Sequence, residues 1–267
     1  MHQLINDILE KTSNRISEAK IYENRSSESV SKKRSILDAI NAAKQRNHVA
    51  VISEVKPSSP REKIKDITPS DAAFIGKIME DAGASAISVL TEPYYFNGSQ
   101  ENLESVRKNV TIPVLRKDFV IDEKQIDECE NDIILLIAAI LREKLPVFVE
   151  TALSKGIEPL VEVHNLEDLQ FAFQSGARLL GINNRDLNTL EVDIGTTEKL
   201  LPYIRTDEKK NNRKYLVVSE SGIRNSDDAR RMIKAGADAL LVGTSIMKGD
   251  IYDNTKAIVT SIEGVTK

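Results

Sequence analysis

Eight short runs, each apolar on both faces, constrain this chain more than any other feature. They cover 49–53, 84–90, 113–116, 133–137, 160–163, 179–182, 215–219 and 239–242, and most are rich in Val, Ile and Leu. A strand with one face in water alternates polar and apolar residues. A strand apolar on both sides belongs in a parallel sheet buried under helices. Run centres lie roughly 20 to 36 residues apart, room for a strand, a helix and two loops. Helix-period segments fill the gaps. Residues 71–81 carry Ala72, Ile75 and Met79 on one stripe, 167–174 place Leu169 and Phe173 four apart, and Ser226-Asp227-Asp228 reads as a capped, acidic helix start closed by Gly236.

Eight such alternations without a break in composition predict an α/β fold, a (β/α)8 TIM barrel, with an open doubly wound sheet as the alternative. Residues 1–267 are read as one domain. About 46 residues precede the first strand, with apolar stripes at Leu4, Ile5, Ile8, Leu9 and at Ile36, Leu37, Ile40 joined by polar 24–29. They predict an N-terminal helical extension packed over one end of the barrel, or else a loose arm.

Charge falls where these apolar strands end. Strand one runs into Glu54, strand three into Lys117, strand five contains Glu162, and strand seven runs into Glu220. All four strands are odd-numbered, and one interior layer of such a barrel draws on alternate strands. Counting by parity puts Ile52, Leu115, Leu160 and Val218 in an apolar layer, with the four ionisable groups in the layer above. Unpaired buried charge costs several kcal/mol, so a charged layer points either to chemistry or to an inert ion-pair plug. Lys56 lies two residues past Glu54, and Asn183 follows strand six. Ser221-Gly222 and Gly243-Thr244-Ser245 follow strands seven and eight, where this fold commonly binds phosphate, and Ser59 offers a third wall.

Several classes are excluded by what the chain carries. Its net charge of −4, spread over mixed signs, lacks the basic footprint of a nucleic-acid binder. Short basic pairs such as Lys32-Lys33 and Lys209-Lys210 read as solvated surface. No apolar run approaches the roughly 20 residues of a membrane span, and the first residues do not read as a secretory signal. A lone Cys129, in a polar stretch, permits no internal disulfide and reads as incidental. His2, His48 and His164 are scattered, so no metal site is expected, and His164 reads as a loop side chain. A cytoplasmic enzyme is the expectation.

The phrases Ile52-Ser53-Glu54-Val55-Lys56-Pro57-Ser58-Ser59-Pro60, Leu115-Arg116-Lys117-Asp118-Phe119, Leu160-Val161-Glu162-Val163, Gly181-Ile182-Asn183-Asn184-Arg185-Asp186-Leu187, Ser219-Glu220-Ser221-Gly222 and Val242-Gly243-Thr244-Ser245 resemble, in this order, those of indole-3-glycerol phosphate synthases. The resemblance spans nearly the whole chain, including the helical extension. It implies a cofactor-free conversion of 1-(2-carboxyphenylamino)-1-deoxyribulose 5-phosphate to indole-3-glycerol phosphate in tryptophan biosynthesis, with loss of carbon dioxide and water. By the same resemblance, Lys117 is the general acid at the ribulose carbonyl and Glu162 the acid/base partner. Lys56 contacts substrate or shares the acid role, and which lysine supplies which proton stays open. Glu54 and Asn183 orient these groups. Ser59, Ser221, Gly222, Gly243 and Thr244 are the implied phosphate site, with Glu220 and Arg185 beside the substrate. Phe119, Leu187 and Phe96 are candidates for the aromatic slot. A monomer is expected, with possible association to other tryptophan-pathway enzymes. Arg61, after Ser59-Pro60, departs from the small residues common in the family, and the chain has no tryptophan. Two rival readings stay open: another phosphate-binding barrel enzyme, such as a phosphoribosylanthranilate isomerase or a Schiff-base aldolase on Lys117, and a barrel that binds a phosphorylated ligand without turnover.

Overall fold

The eight runs form eight strands that close into a barrel. A computed structural model describes residues 1–18, 33–59 and 62–263; the polar segment 24–29, Lys32, Pro60 and Arg61 lie outside these. The strands are β1 (Ala50–Val55), β2 (Ala86–Leu90), β3 (Val114–Lys117), β4 (Ile133–Ile137), β5 (Glu158–Val163), β6 (Leu179–Asn183), β7 (Leu216–Glu220) and β8 (Ala239–Val242). Each pairs in parallel with its sequence neighbours, and β8 pairs with β1, so no edge is left open. Closure excludes the open-sheet alternative.

Period-two geometry divides each strand between two cores. Ile52, Leu115, Leu160 and Val218 share the barrel interior with Ile133, Leu135, Leu179 and Leu241. Their neighbours Val51, Val89 and Leu240 face one arc of surrounding helices, while Ile134, Val161, Leu180 and Val217 face the other. This is why the strands read as apolar on both sides.

The intervening helices begin where their caps dictate. Thr68 and Asp71 cap Pro69–Asp81 reciprocally, and the Asn165 side chain accepts from the Asp168 N–H at the head of Leu166–Gln174. Helix Ser226–Ala235 is capped by Asn225, not by Ser226 as expected. The Asn225 side chain accepts the N–H groups of Asp227 and Asp228 at 2.9 and 3.0 Å, whereas the Ser226 hydroxyl donates to the Ala257 carbonyl. Gly236 closes that helix in the left-handed region.

The N-terminal helices, expected over one end of the barrel, cap opposite ends. Helix α1 (Gln3–Glu18) lies across the carboxyl mouth, where Ile5 and Ile8 meet residues of the strand-end cavity. Helix α2 (Ile36–Gln45) closes the amino end: the Arg34 N–H donates to Asp132, just before β4, and Lys44 pairs with Asp238, just before β8. The reason is apolar supply. Each end exposes interior side chains, and burying Ile5 and Ile8 above or Ile36 and Ile40 below contributes about 1.5–3 kcal/mol per side chain. Lys33 is likewise not solvated surface. Its Nζ donates to the Asn131 carbonyl at 2.7 Å, and burial pushes its pKa down; Lys209 and Lys210 are exposed as expected. Cys129 is buried among apolar neighbours despite its polar sequence context, and burial pushes its thiol pKa up, away from reactivity. Among the described residues, no helix is long and apolar enough to cross a membrane.

Candidate active site

Glu54, Lys117, Glu162 and Glu220 stand together at the carboxyl mouth, on the same interior face as the apolar layer beneath them. All three carboxylates are buried. Lys117 Nζ lies 3.8 Å from Glu162 Oε2, and Lys56 Nζ donates to Glu54 Oε1 at 3.1 Å. Two glycines make room for this ring. A Cβ on Gly181 of β6 would stand 2.0 Å from Glu220 Oε1, and one on Gly243 would stand 2.5 Å from Glu54 Oε1. A methyl group at either position would meet that oxygen first, so the neighbouring carboxylate would have to move to admit it.

The ring sets its own protonation states. Burial favours neutral Lys117, but the charges of Glu162, Glu54 and Glu220 outweigh it and hold the pKa above the ordinary lysine value. Lys117 is therefore an ammonium at neutral pH. Burial pushes Glu162 up, yet Lys117, His164 and the Asn183 amide together carry it below the ordinary carboxylate range. Glu220 goes the other way. Burial and the nearby Glu162 charge raise it well above the ordinary value, and Lys117 only partly offsets them. Neighbouring carboxyl groups driven apart in this way can divide base and neutral-acid roles.

Two cavities open from the ring, with volumes of about 340 and 380 Å³. They share Glu54, Lys56, Lys117, Arg185, Ser221 and Thr244 as a common wall. The first is largely apolar: Phe96, Phe119, Leu187 and Leu190 line it with Leu135 and Ile137 below and Leu4, Ile5 and Ile8 of α1 above. The Phe96 and Phe119 ring centroids are 6.3 Å apart, a tilted pair. The second runs over the ends of β7 and β8 and is lined by Ser221, Gly222, Gly243, Thr244 and Ser245. Ser221 and Gly222 both adopt positive φ, 64° and 85°. For serine that conformation costs of order 1–3 kcal/mol, strain held in a loop that lines the site. The Ser245 hydroxyl ties the two loops together by donating to the Ile223 carbonyl at 2.9 Å.

Every candidate site residue named from the sequence lines one cavity or both: Ser59, Glu162, Asn183, Phe96, Phe119 and Leu187 the first, Glu220, Gly222 and Gly243 the second, and the six wall residues both. Sequence reasoning missed others. Glu92 is fully buried beside the first cavity, and its carboxylate accepts the N–H groups of Tyr94, Tyr95 and Phe96 at 2.8–2.9 Å, folding the loop that presents Phe96. Asp118 accepts from Arg15 of α1 at 3.2 Å and from the Thr91 hydroxyl at 2.8 Å, anchoring the roof helix to β3. Lys248, beyond β8, pairs with Glu62 of the two-residue ribbon after β1. His164 does follow a strand end, but it is buried and charged-partnered, not a solvated loop side chain: Nε2 lies 3.2 Å from Glu162 Oε1 and Nδ1 lies 3.1 Å from Asp168 Oδ2. The i, i+2 spacing from Glu162 was the available signal, since it places both side chains on one face of the strand.

A closed parallel barrel bearing an acid/base ring at the carboxyl ends of its strands, beside a glycine-lined recess, defines a (β/α)8-barrel enzyme. Comparison narrows the class. The family model described as indole-3-glycerol phosphate synthase matches residues 3–259. The indole-3-glycerol phosphate synthase of Haloarcula marismortui is 42% identical over 228 residues, 84% of this chain and 81% of that protein. That of Caldanaerobacter subterraneus is 43% identical over 222 residues, covering 82% and 83%. This chain belongs to the indole-3-glycerol phosphate synthase family. An N-acetylmannosamine-6-phosphate 2-epimerase from Clostridium perfringens shares the fold at TM-score 0.58 and 14% identity, over 82% of this chain and 93% of that one.

Proposed function

We propose that this barrel mouth is the active site of a carbon–carbon lyase that converts 1-(2-carboxyphenylamino)-1-deoxyribulose 5-phosphate to indole-3-glycerol phosphate. The observation that carries the reading is the position of Lys117. It is an ammonium among three carboxylates, in the wall shared by an apolar cavity and a glycine-lined one. Such a substrate has an aromatic ring at one end, a phosphate at the other and a ketone between. The ring fits the slot of Phe96, Phe119 and Leu187, the phosphate fits the loops of Ser221, Gly222, Gly243 and Thr244 with Ser59 opposite, and the ketone falls at the wall beside Lys117.

Lys117 supplies a proton to the ketone oxygen as the ring carbon bearing the carboxylate attacks the carbonyl carbon. Carbon dioxide then leaves, and its bonding electrons restore the aromatic ring. Loss of the new hydroxyl as water needs a proton delivered to that oxygen, which a lysine ammonium of the same wall can supply, and a proton removed from the carbon next to nitrogen. Glu162, ionised between two cations, is the base suited to that removal, while burial and the Glu162 charge push Glu220 toward its neutral, hydrogen-bond-donating form. Lys56, held by Glu54, lies on the same wall as a second source of positive charge, and Asn183 and Arg185 position the sugar hydroxyls. The same ammonium disfavours a Schiff-base role for Lys117, which requires a neutral amine.

A monomer is the expected state. The buried, unactivated Cys129 fits a cytoplasmic setting, and residues 1–267 are read as one domain whose first 46 residues form the extension. Association with other tryptophan-pathway enzymes is a further expectation. The test is direct: folded protein incubated with authentic substrate should develop indole fluorescence and release carbon dioxide. Unchanged fluorescence would overturn the reading.

A further inference from the structure

We propose that His164 is a positioning residue for this chemistry, a charged clamp held between Asp168 and Glu162 that keeps Glu162 ionised. The inference rests on the reading of Glu162 as the base.

Geometry carries it. Glu162 and His164, two apart at the end of β5, project on the same face, and the imidazole is nearly inaccessible, with a side-chain exposure of 3%. Each ring nitrogen meets a carboxylate oxygen: Nε2 is 3.2 Å from Glu162 Oε1 and Nδ1 is 3.1 Å from Asp168 Oδ2. Ionised carboxylates only accept hydrogen bonds, so a neutral ring, with one N–H, would set a lone pair against one of them. A doubly protonated ring suits both: Nδ1 is hydrogen-bonded to Asp168, and Nε2 stands in ion-pair contact with Glu162 without hydrogen-bond geometry. Asp168 is itself well held, because its carboxylate accepts the backbone N–H of His164 at 2.8 Å and its own backbone N–H donates to the capping Asn165 side chain. The clamp is thus braced by the first turn of helix Leu166–Gln174, outside the cavities, and does not touch substrate.

The consequence is electrostatic. His164 sets one cation beside Oε1, and Lys117 sets another 3.8 Å from Oε2, a buried oxygen with no hydrogen-bond partner among the described residues. Between them the two cations keep the carboxylate ionised and able to take a proton. The groups facing Glu162 are Lys117 from β3, His164 from β5, Asn183 from β6 and Glu220 from β7. Those facing His164 are Glu162, Asp168 and, at longer range, Asp186. Although burial opposes the charged ring, Asp168 and Glu162 outweigh it and lift His164 to about 9.

His164→Gln keeps a neutral donor near Glu162 and deletes the cation. Since Glu162 must be ionised to act as base, its activity is lost as pH falls through its pKa. Removing a cation at this distance should move the acid limb of kcat upward by about one to three pH units, with little change in KM. The wild-type protein supplies a second measurement that needs no variant to fold: imidazole ring signals followed by NMR from pH 6 to 9. A doubly protonated His164 at pH 7.5 supports the clamp, and a neutral ring there overturns it. An unshifted acid limb in a folded His164→Gln protein overturns the catalytic link. If the wild type shows no turnover at all, the functional reading fails, while the ring signals still decide the clamp.

Discussion

Replacing Lys117 with Met keeps the aliphatic stem and removes the charge that the ring is built around. At 3.8 Å and an effective dielectric constant of 20, the attraction between Lys117 and Glu162 alone is ~4 kcal/mol. Lys117 is paired with Glu162 and Lys56 with Glu54, with Arg185 on the same wall. Deleting Lys117 takes one cation from a buried cluster of carboxyl groups, a loss of the kind that costs about 3–5 kcal/mol when one partner of a buried pair is removed. In the wild type, the depressed Glu162 contributes stability that is complete above its unfolded value of roughly 4.3 and is lost as pH falls through the folded pKa. In the variant the carboxyl groups rise instead, so the folded ring binds an extra proton that the unfolded chain releases above roughly pH 4.3. Stability of Lys117→Met relative to wild type should therefore worsen from pH 5 to pH 8, as read by thermal unfolding followed by circular dichroism. Turnover, followed by indole fluorescence, should fall by about 10²–10⁴ in kcat, the scale of a lost general acid. A kcat within tenfold of wild type, or an equal destabilisation at pH 5 and pH 8, would refute this account of the ring.

Two further outcomes test the neighbours of that lysine. Glu220→Gln mimics the neutral carboxyl; because the raised pKa of Glu220 makes folding less favourable as pH climbs above its unfolded value, the variant should gain Tm over wild type at pH 8 and lose that gain by pH 5. Gly222→Ala combines a φ of 85° with a Cβ only 2.7 Å from Ile194 and Val192 side-chain carbons, so it should cost about 1–3 kcal/mol in denaturant unfolding and raise KM for the phosphorylated substrate; an unchanged KM would remove the Ser221-Gly222 loop from phosphate binding.

Much of the site was legible because a strand has a period of two and its interior is dry. Glu54, Lys117, Glu162 and Glu220 could be placed in one layer from parity alone, since each interrupts a run that is otherwise apolar. The loops after β7 and β8 were legible from their position in the chain order. What stayed hidden depended on contacts between distant segments. Nothing local says that Leu4, Ile5 and Ile8 roof the cavity while Ile36 and Ile40 seal the far end, because both stripes look alike and differ only in which end of the barrel receives them. Glu92 gives no local signal, because its role appears only when its loop folds back and delivers three N–H groups to it. His164 follows a strand end, where most side chains meet water, and its burial depends on Asp168 rising from the next helix turn. Asn225 displaced Ser226 as the cap because its side chain reaches two backbone N–H groups at once.

Gly181 and Glu220 are 39 positions apart in the chain, yet they behave as one heritable unit, because the backbone of β6 carries the mould into which the carboxylate of β7 is cast. Anyone transplanting this acid to another barrel must move the hollow along with it. Conversely, a lineage that once fills the hollow with a methyl group has also rewritten the acid, without changing a letter of its codon.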